Sequence, residues 1–165
     1  MTDDAAAAPP TRLPWKTMLV PTDFSAGSRA ALALAADLAK VHGAALVILH
    51  VAELLPGLTA DTMVHAEGGG APMRLEDFHR EQTLAWMEQD RALAHAREVP
   101  VELVFALGSV VPAVLAETAK RGADVIVMGT HGRTGLAHLV MGSVAERVLR
   151  QSRVPVLTVR VPDAP

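Results

Sequence analysis

A single-domain α/β fold is the class this sequence predicts: an open parallel five-stranded sheet with helices on both faces. Three observations predict it. Short apolar runs recur along the chain and read as strands buried on both faces, since polar residues do not alternate through them. Segments with apolar residues at helical spacing separate these runs, and strands alternating with helices imply parallel pairing. The length of 165 residues suits one domain with a real hydrophobic core. Right-handed crossovers leave few topologies, of which the strand order 3-2-1-4-5 is the natural one.

Taken in order, residues 1–14 are rich in alanine and proline and are expected to form a disordered tail ahead of a domain spanning 15–161. Residues 16–22 read as the first strand, closed by Asp23. Ser25 is an N-cap candidate, and from Ser28 the spacing of Leu32, Leu34, Ala35, Leu38 and Val41 gives a helix with a wide apolar face. Gly43 ends it. Residues 45–51 are the second strand. Over 52–75 the pattern dissolves. Pro56, Gly57, Gly68, Gly69, Gly70 and Pro72 predict a long mobile connection there, with room for a short helical turn near Thr62. Residues 76–97 read as a helix, with Leu84, Met87, Arg91 and Ala94 near helical spacing. The third strand is 101–106, and Gly108 opens the loop after it. A helix over 110–121 tolerates Pro112 in its first turn and ends at Gly122. Residues 125–128 give the fourth strand. A helix in which Val144, Val148 and Leu149 share a face leads to the fifth strand, 154–159.

Composition excludes several function classes. Charged residues make up 20% and the net charge is −3, which offers no electrostatic attraction to nucleic acid or an acidic membrane. Cysteine is absent, so disulfides, Fe–S clusters and Cys-ligated zinc are ruled out. Aromatics, at 3%, are too few for a base-stacking platform. The acidic N-terminus does not read as a secretory signal, no apolar run reaches membrane-spanning length, and a cytoplasmic location is expected. The histidines show no pairing at i, i+3 or i, i+4, which argues against a protein-built metal site.

In the predicted order the winding reverses between strands 1 and 4, and ligands bind in such a crevice beyond the carboxyl ends of the strands. Asp23 ends strand 1 there, and Gly129 ends strand 4. After Gly129 come Gly132, Gly142 and Ser143. A glycine loop between a strand and a helix brings backbone N–H groups close to a ligand, and the helix N-terminus favours anions, so the chemistry is that of phosphate holding. The spacing fits neither a Walker A loop nor G-x-G-x-x-G.

It does resemble the nucleotide loop of the universal stress protein family, Gly-x-x-Gly-x9-Gly-Ser/Thr, which Gly129, Gly132, Gly142 and Ser143 match without insertion. Asp124, the run from Arg153 to Leu157, and Pro21-Thr22-Asp23-Phe24-Ser25 resemble the family too. The resemblance implies a Rossmann-like fold, an ATP site and a homodimer formed through the C-terminal strand. Within it, Pro21, Thr22 and Asp23 would meet the nucleoside, with Asp23 an acceptor for the ribose or adenine edge; a plain turn or capping role is the alternative. Val51 would offer backbone groups to adenine, and Met128 would wall the base or simply fill the core.

The phosphates would fall to the loop Gly129, Thr130, His131, Gly132 and Arg133, with Gly142, Ser143 and Val144 at the helix start. His131 and Arg133 read equally well as solvated loop residues. Ser143 is an N-cap candidate whose hydroxyl can also donate to phosphate. Ala145 departs from relatives that carry Thr or Ser there, losing one hydroxyl contact. Mg²⁺ would be held mainly by the phosphates and water. Phosphoryl transfer needs a positioned base, and none is evident, so a nucleotide-dependent regulatory module is favoured. The alternatives are a slow ATPase or phosphotransferase, or a dimeric interaction protein with an unoccupied site. A receiver domain would need an acidic acceptor where Ala106-Leu107-Gly108 stand.

Overall fold

The computed structural model describes residues 13–65, 71–130 and 141–161, and every structural statement below concerns these. Strand β1 (Thr17–Thr22) leads through helix α1 (Ala26–His42) to β2 (Ala45–Ala52). Two short strands, β3 (Met63–Val64) and β4 (Met73–Arg74), precede α2 (Leu75–His95) and β5 (Val101–Leu107). The chain continues through α3 (Val110–Lys120), β6 (Val125–Gly129), α4 (Ser143–Gln151) and β7 (Val156–Val159). The main sheet has five strands in the order β5-β2-β1-β6-β7, all paired in parallel. This is the expected 3-2-1-4-5 order.

Alternation along the strands builds a core on each face. Met18, Val20, Leu46, Ile48, Val125 and Val127 face α1 and α2, while Leu19, Val47, Leu49, Ile126 and Met128 face α3 and α4. On α1 the buried stripe is Ser28, Ala31, Leu32, Ala35, Ala36 and Ala39. Leu34 and Val41, expected on the apolar face, are exposed. Small residues carry the contact instead and let α1 lie close to the sheet. Ser25 caps α1 by accepting the Ser28 N–H at 3.2 Å, and Gly43 closes it with φ 64°. The Asp124 carboxylate accepts the N–H groups of Lys16 and Thr17 at 2.6 and 2.9 Å, which ties the start of β1 to the turn before β6.

The stripe on α2 also differs from expectation. It comprises Leu75, Thr83, Met87, Asp90 and Ala94, whereas Leu84 and Arg91 face solvent. Near Thr62 the chain forms the antiparallel β3–β4 pair, Met63 opposite Arg74 and Val64 opposite Met73, in place of a helical turn alone. The last strand begins at Val156, two residues later than the apolar run suggests, because Ser152 turns the chain by bonding both the N–H and the carbonyl of Val154. No described helix is long and apolar enough to cross a membrane.

Candidate functional site in the crevice between β1 and β6

β1 has β2 on one side and β6 on the other, so the path reverses direction at β1. A crevice opens there at the carboxyl ends of the strands. Asp23 follows β1 directly, and its Oδ1 accepts the Ser25 N–H at 3.1 Å, holding an Asx turn. Pro21 is half-buried within β1. Val51 lies near the end of β2, half-buried, opposite Ala106 of β5. The structure therefore brings Asp23, Val51 and the end of β6 to one side of the sheet.

β6 delivers Met128, Gly129 and Thr130. Met128 is 5% exposed and packs with Val111, Val114, Ala145 and Val148, so its side chain fills the core facing α3 and α4. Gly129 has a packing reason to be glycine. A Cβ there would stand 2.7 Å from the backbone carbon of Gly27 and 2.9 Å from its oxygen. Close approach of β6 to the start of α1 requires this residue, whatever binds nearby.

Thr130 is buried. Its N–H donates to the Val159 carbonyl at 2.9 Å, and its own carbonyl accepts the Gly142 N–H at 2.7 Å. The start of α4 is thus held against the end of β6. Gly142 is the N-cap (φ −70°, ψ 151°), without a side-chain cap bond. Ser143, expected as the N-cap, is instead the first helical residue and exposed, because Gly142 takes the extended backbone that a cap requires. The first bond within α4 runs from the Glu146 N–H to the Gly142 carbonyl. The N–H groups of Ser143, Val144 and Ala145 precede it and have no partner within the helix. His131, Gly132 and Arg133 lie outside the described residues.

Thr22, expected to meet the nucleoside, instead sits in a polar cluster beneath the turn bearing Asp23, with Asp90 and His50 as partners that the sequence did not suggest. Thr22 is 6% exposed, and its hydroxyl donates to Asp90 Oδ2 at 2.8 Å while accepting the Phe24 N–H at 3.2 Å. The Thr22 carbonyl accepts from His50 Nδ1 at 2.9 Å. Phe24 holds φ 64°, and its ring lies 4.5 Å from His50 and 5.4 Å from Trp86. Asp90 is 1% exposed and also meets Arg29, whose Nε lies 3.7 Å from Oδ1. Burial pushes the Asp90 carboxyl up, and Asp23 adds to this. The Thr22 hydrogen bond, Arg29 and His50 oppose it without cancelling it. The available signal was spacing, since Asp90 falls three residues after Met87 and four before Ala94.

Among the described residues no group of three or more His, Cys, Asp or Glu side chains could hold a metal ion. Chemically, the crevice offers carboxylate acceptance at Asp23 and anion-favouring backbone at the start of α4.

Comparison with known proteins agrees with this fold. Residues 14–160 match the family model described as the universal stress protein family. A universal stress protein of Methanocaldococcus jannaschii is 30% identical over 150 residues, covering 90% of this chain and 84% of that protein. A universal stress protein A homolog of Coxiella burnetii is 33% identical over 149 residues, 88% of this chain and 96% of its own. Among solved structures, a Burkholderia pseudomallei protein of the universal stress protein family superposes with a TM-score of 0.63 at 29% identity, covering 87% of this chain and 95% of its own. Another universal stress protein, solved in complex with cAMP, gives a TM-score of 0.65 at 24% identity, covering 88% and 97%; at that identity the likeness speaks for the fold. With its parallel sheet, its strand-end crevice and a match along nearly its whole length, the chain belongs to the universal stress protein family.

Proposed function

We propose that this protein is an ATP-binding regulatory module of the stress response, with the nucleotide in the crevice between β1 and β6. One observation carries the reading: the Gly142–Thr130 bond of 2.7 Å holds the start of α4, whose first N–H groups have no partner within the helix, at the end of β6, beside the end of β1 that Asp23 follows. An anion site and a carboxylate acceptor at one crevice suit a molecule with phosphates at one end and a ribose at the other. Asp23 accepts from the ribose or the adenine edge, and backbone at Val51 reads adenine. Ser143 and Val144 donate to the phosphates, joined by the loop Gly129–Arg133 of the sequence motif. Mg²⁺ is carried mainly on the phosphates and water, where it neutralises their charge. The structural relatives solved with cAMP and dAMP hold adenine nucleotides, which supports adenine as the base.

Efficient catalysis is not part of the proposal. Phosphoryl transfer needs a base or a water-orienting group at the phosphate end. Asp23 stands at the proposed nucleoside end, and Asp90 is buried under it. Turnover is expected below the ordinary enzyme range of about 1 to 10³ per second. A phosphate-release assay that showed several turnovers per second, lost on loop mutation, would make this an enzyme.

The binding test is calorimetric titration with ATP and GTP in the presence of Mg²⁺. ATP is expected to bind in preference to GTP, and Gly142→Val to block binding while the fold persists. Absence of ATP binding by the parent would leave the unoccupied-site interaction protein as the reading. We further place the protein in the cytoplasm as a homodimer that joins at β7.

A further inference from the structure

Asp90 is an unexpected residue for its position. The rest of its stripe is mostly apolar, and a carboxylate at 1% exposure carries a desolvation cost that an apolar side chain would not. What it touches is specific. Its Oδ2 takes the Thr22 hydroxyl at 2.8 Å, across a sequence separation of 68 residues. Thr22 is the last residue of β1, next to Asp23. The same hydroxyl accepts the Phe24 N–H, and Phe24 stands at φ 64°, a conformation that bulky residues adopt only when their surroundings enforce it. His50 of β2 holds the Thr22 carbonyl from the other side. The turn that aims Asp23 is therefore braced by side chains from α2 and β2.

We propose that Asp90 is a positioning residue for the nucleoside end of the site: acting through the Thr22 hydroxyl, it fixes the turn from which Asp23 meets the ligand. The inference rests on the nucleotide-binding reading above and adds to it a residue outside the crevice. It also gives α2, which contributes no residue to the motif, a part in recognition.

A double-mutant cycle with full-length protein and Mg·ATP tests it by calorimetry. Asp90→Ala is expected to weaken ATP binding by about tenfold, the scale of one lost polar contact. Asp90→Asn keeps an oxygen that accepts the hydroxyl and is expected to restore parental affinity. In an Asp23→Ala background, adding Asp90→Ala is expected to change affinity no further. If Asp90→Ala is not recovered folded, Thr22→Val removes the same bond from the other end and is read in the same way. Parental affinity in both the Asp90→Ala and Thr22→Val variants would overturn the inference, as would a loss that Asp90→Asn fails to restore. An equal loss with and without Asp23 would also overturn it, since it would mean general loosening of the fold. If the parent itself takes no ATP, the functional reading falls first and this inference with it.

Discussion

At the scale of single residues, the most informative side chains are ones that packing uses against type. Burial raises the Asp90 carboxyl from the ordinary aspartate value, although Thr22, Arg29 and His50 pull the other way. The folded state then holds that proton more tightly than the unfolded chain does, so this group's contribution to stability is lost as pH rises from the unfolded value through the folded one. Asp90→Asn does not titrate. It is expected to match the parent or exceed it by about 1 kcal/mol at neutral pH, and to lose that advantage as pH is lowered through the folded value. Urea denaturation of both proteins across pH checks this. Asp90→Ala takes the 2.8 Å acceptor from the Thr22 hydroxyl, leaving it the longer contact to Ser28 Oγ at 3.4 Å, and is expected to cost about 1–3 kcal/mol by the same measurement. Gly129→Ala drives a methyl to within 2.7 Å of the Gly27 backbone, which cannot swing away as a side chain can. A loss of about 1–3 kcal/mol in stability is expected for it.

These residues also mark where the sequence stopped being legible. Asp90 lies in a polar stretch of α2, after Glu88 and Gln89 and before Arg91, and reads as solvated. Only the docking of α2 against α1 and β1 buries it. Gly129 was legible as a loop glycine, yet the demand that it be glycine comes from α1, a distant segment of the sequence. Asp23 and the start of α4 converge because the sheet order carries them there, and that order follows from handedness and alternation.

At the scale of elements, caps and edges decide the details. Ser143 looks like an N-cap from composition alone, but the Gly142–Thr130 bond closes the loop one residue earlier and moves the cap to Gly142. Ser143→Ala is thus expected to leave stability within about 0.5 kcal/mol of the parent, far from the loss of a true cap. Thermal or urea melts read this directly. On α3, burial works to raise the Glu117 carboxyl, but hydrogen bonds from Arg121 and Lys120 outweigh it and hold the group below its usual value. That stabilisation is present above the unfolded value and is lost as pH falls through the folded one. Arg121→Ala is expected to flatten this acid-side loss in a pH series of melts. The β3–β4 ladder escaped notice because two residues per strand are too few for any alternation to register.

At the scale of the whole molecule, the fold class and the strand order of the main sheet were legible, since its strands are mostly apolar and a helix lies in each crossover. The two sheet edges differ in a way that bears on assembly. β5 exposes Glu102, which pairs with Arg121, and a charged edge resists further strand pairing. β7 presents Val156, Leu157 and Val159, half-buried, with β6 on its other side. Two copies of β7 meeting about a two-fold axis would satisfy both edges. Full-length protein is expected to be dimeric at micromolar concentration by light scattering, and removal of residues 156–165 to give monomer or aggregate. A monomeric parent would contradict the assembly.

The proposed function stands on an adenine nucleotide occupying the crevice between β1 and β6. Backbone amide resonances recorded during titration with Mg·ATP test it most directly, because they report binding and place together. Saturable shifts are expected at Asp23, Val51, Ser143, Val144 and Ala145, with Phe24 following through the Thr22 turn. Unchanged spectra at millimolar ATP, or shifts confined to the exposed faces of α2 and α3, would contradict it.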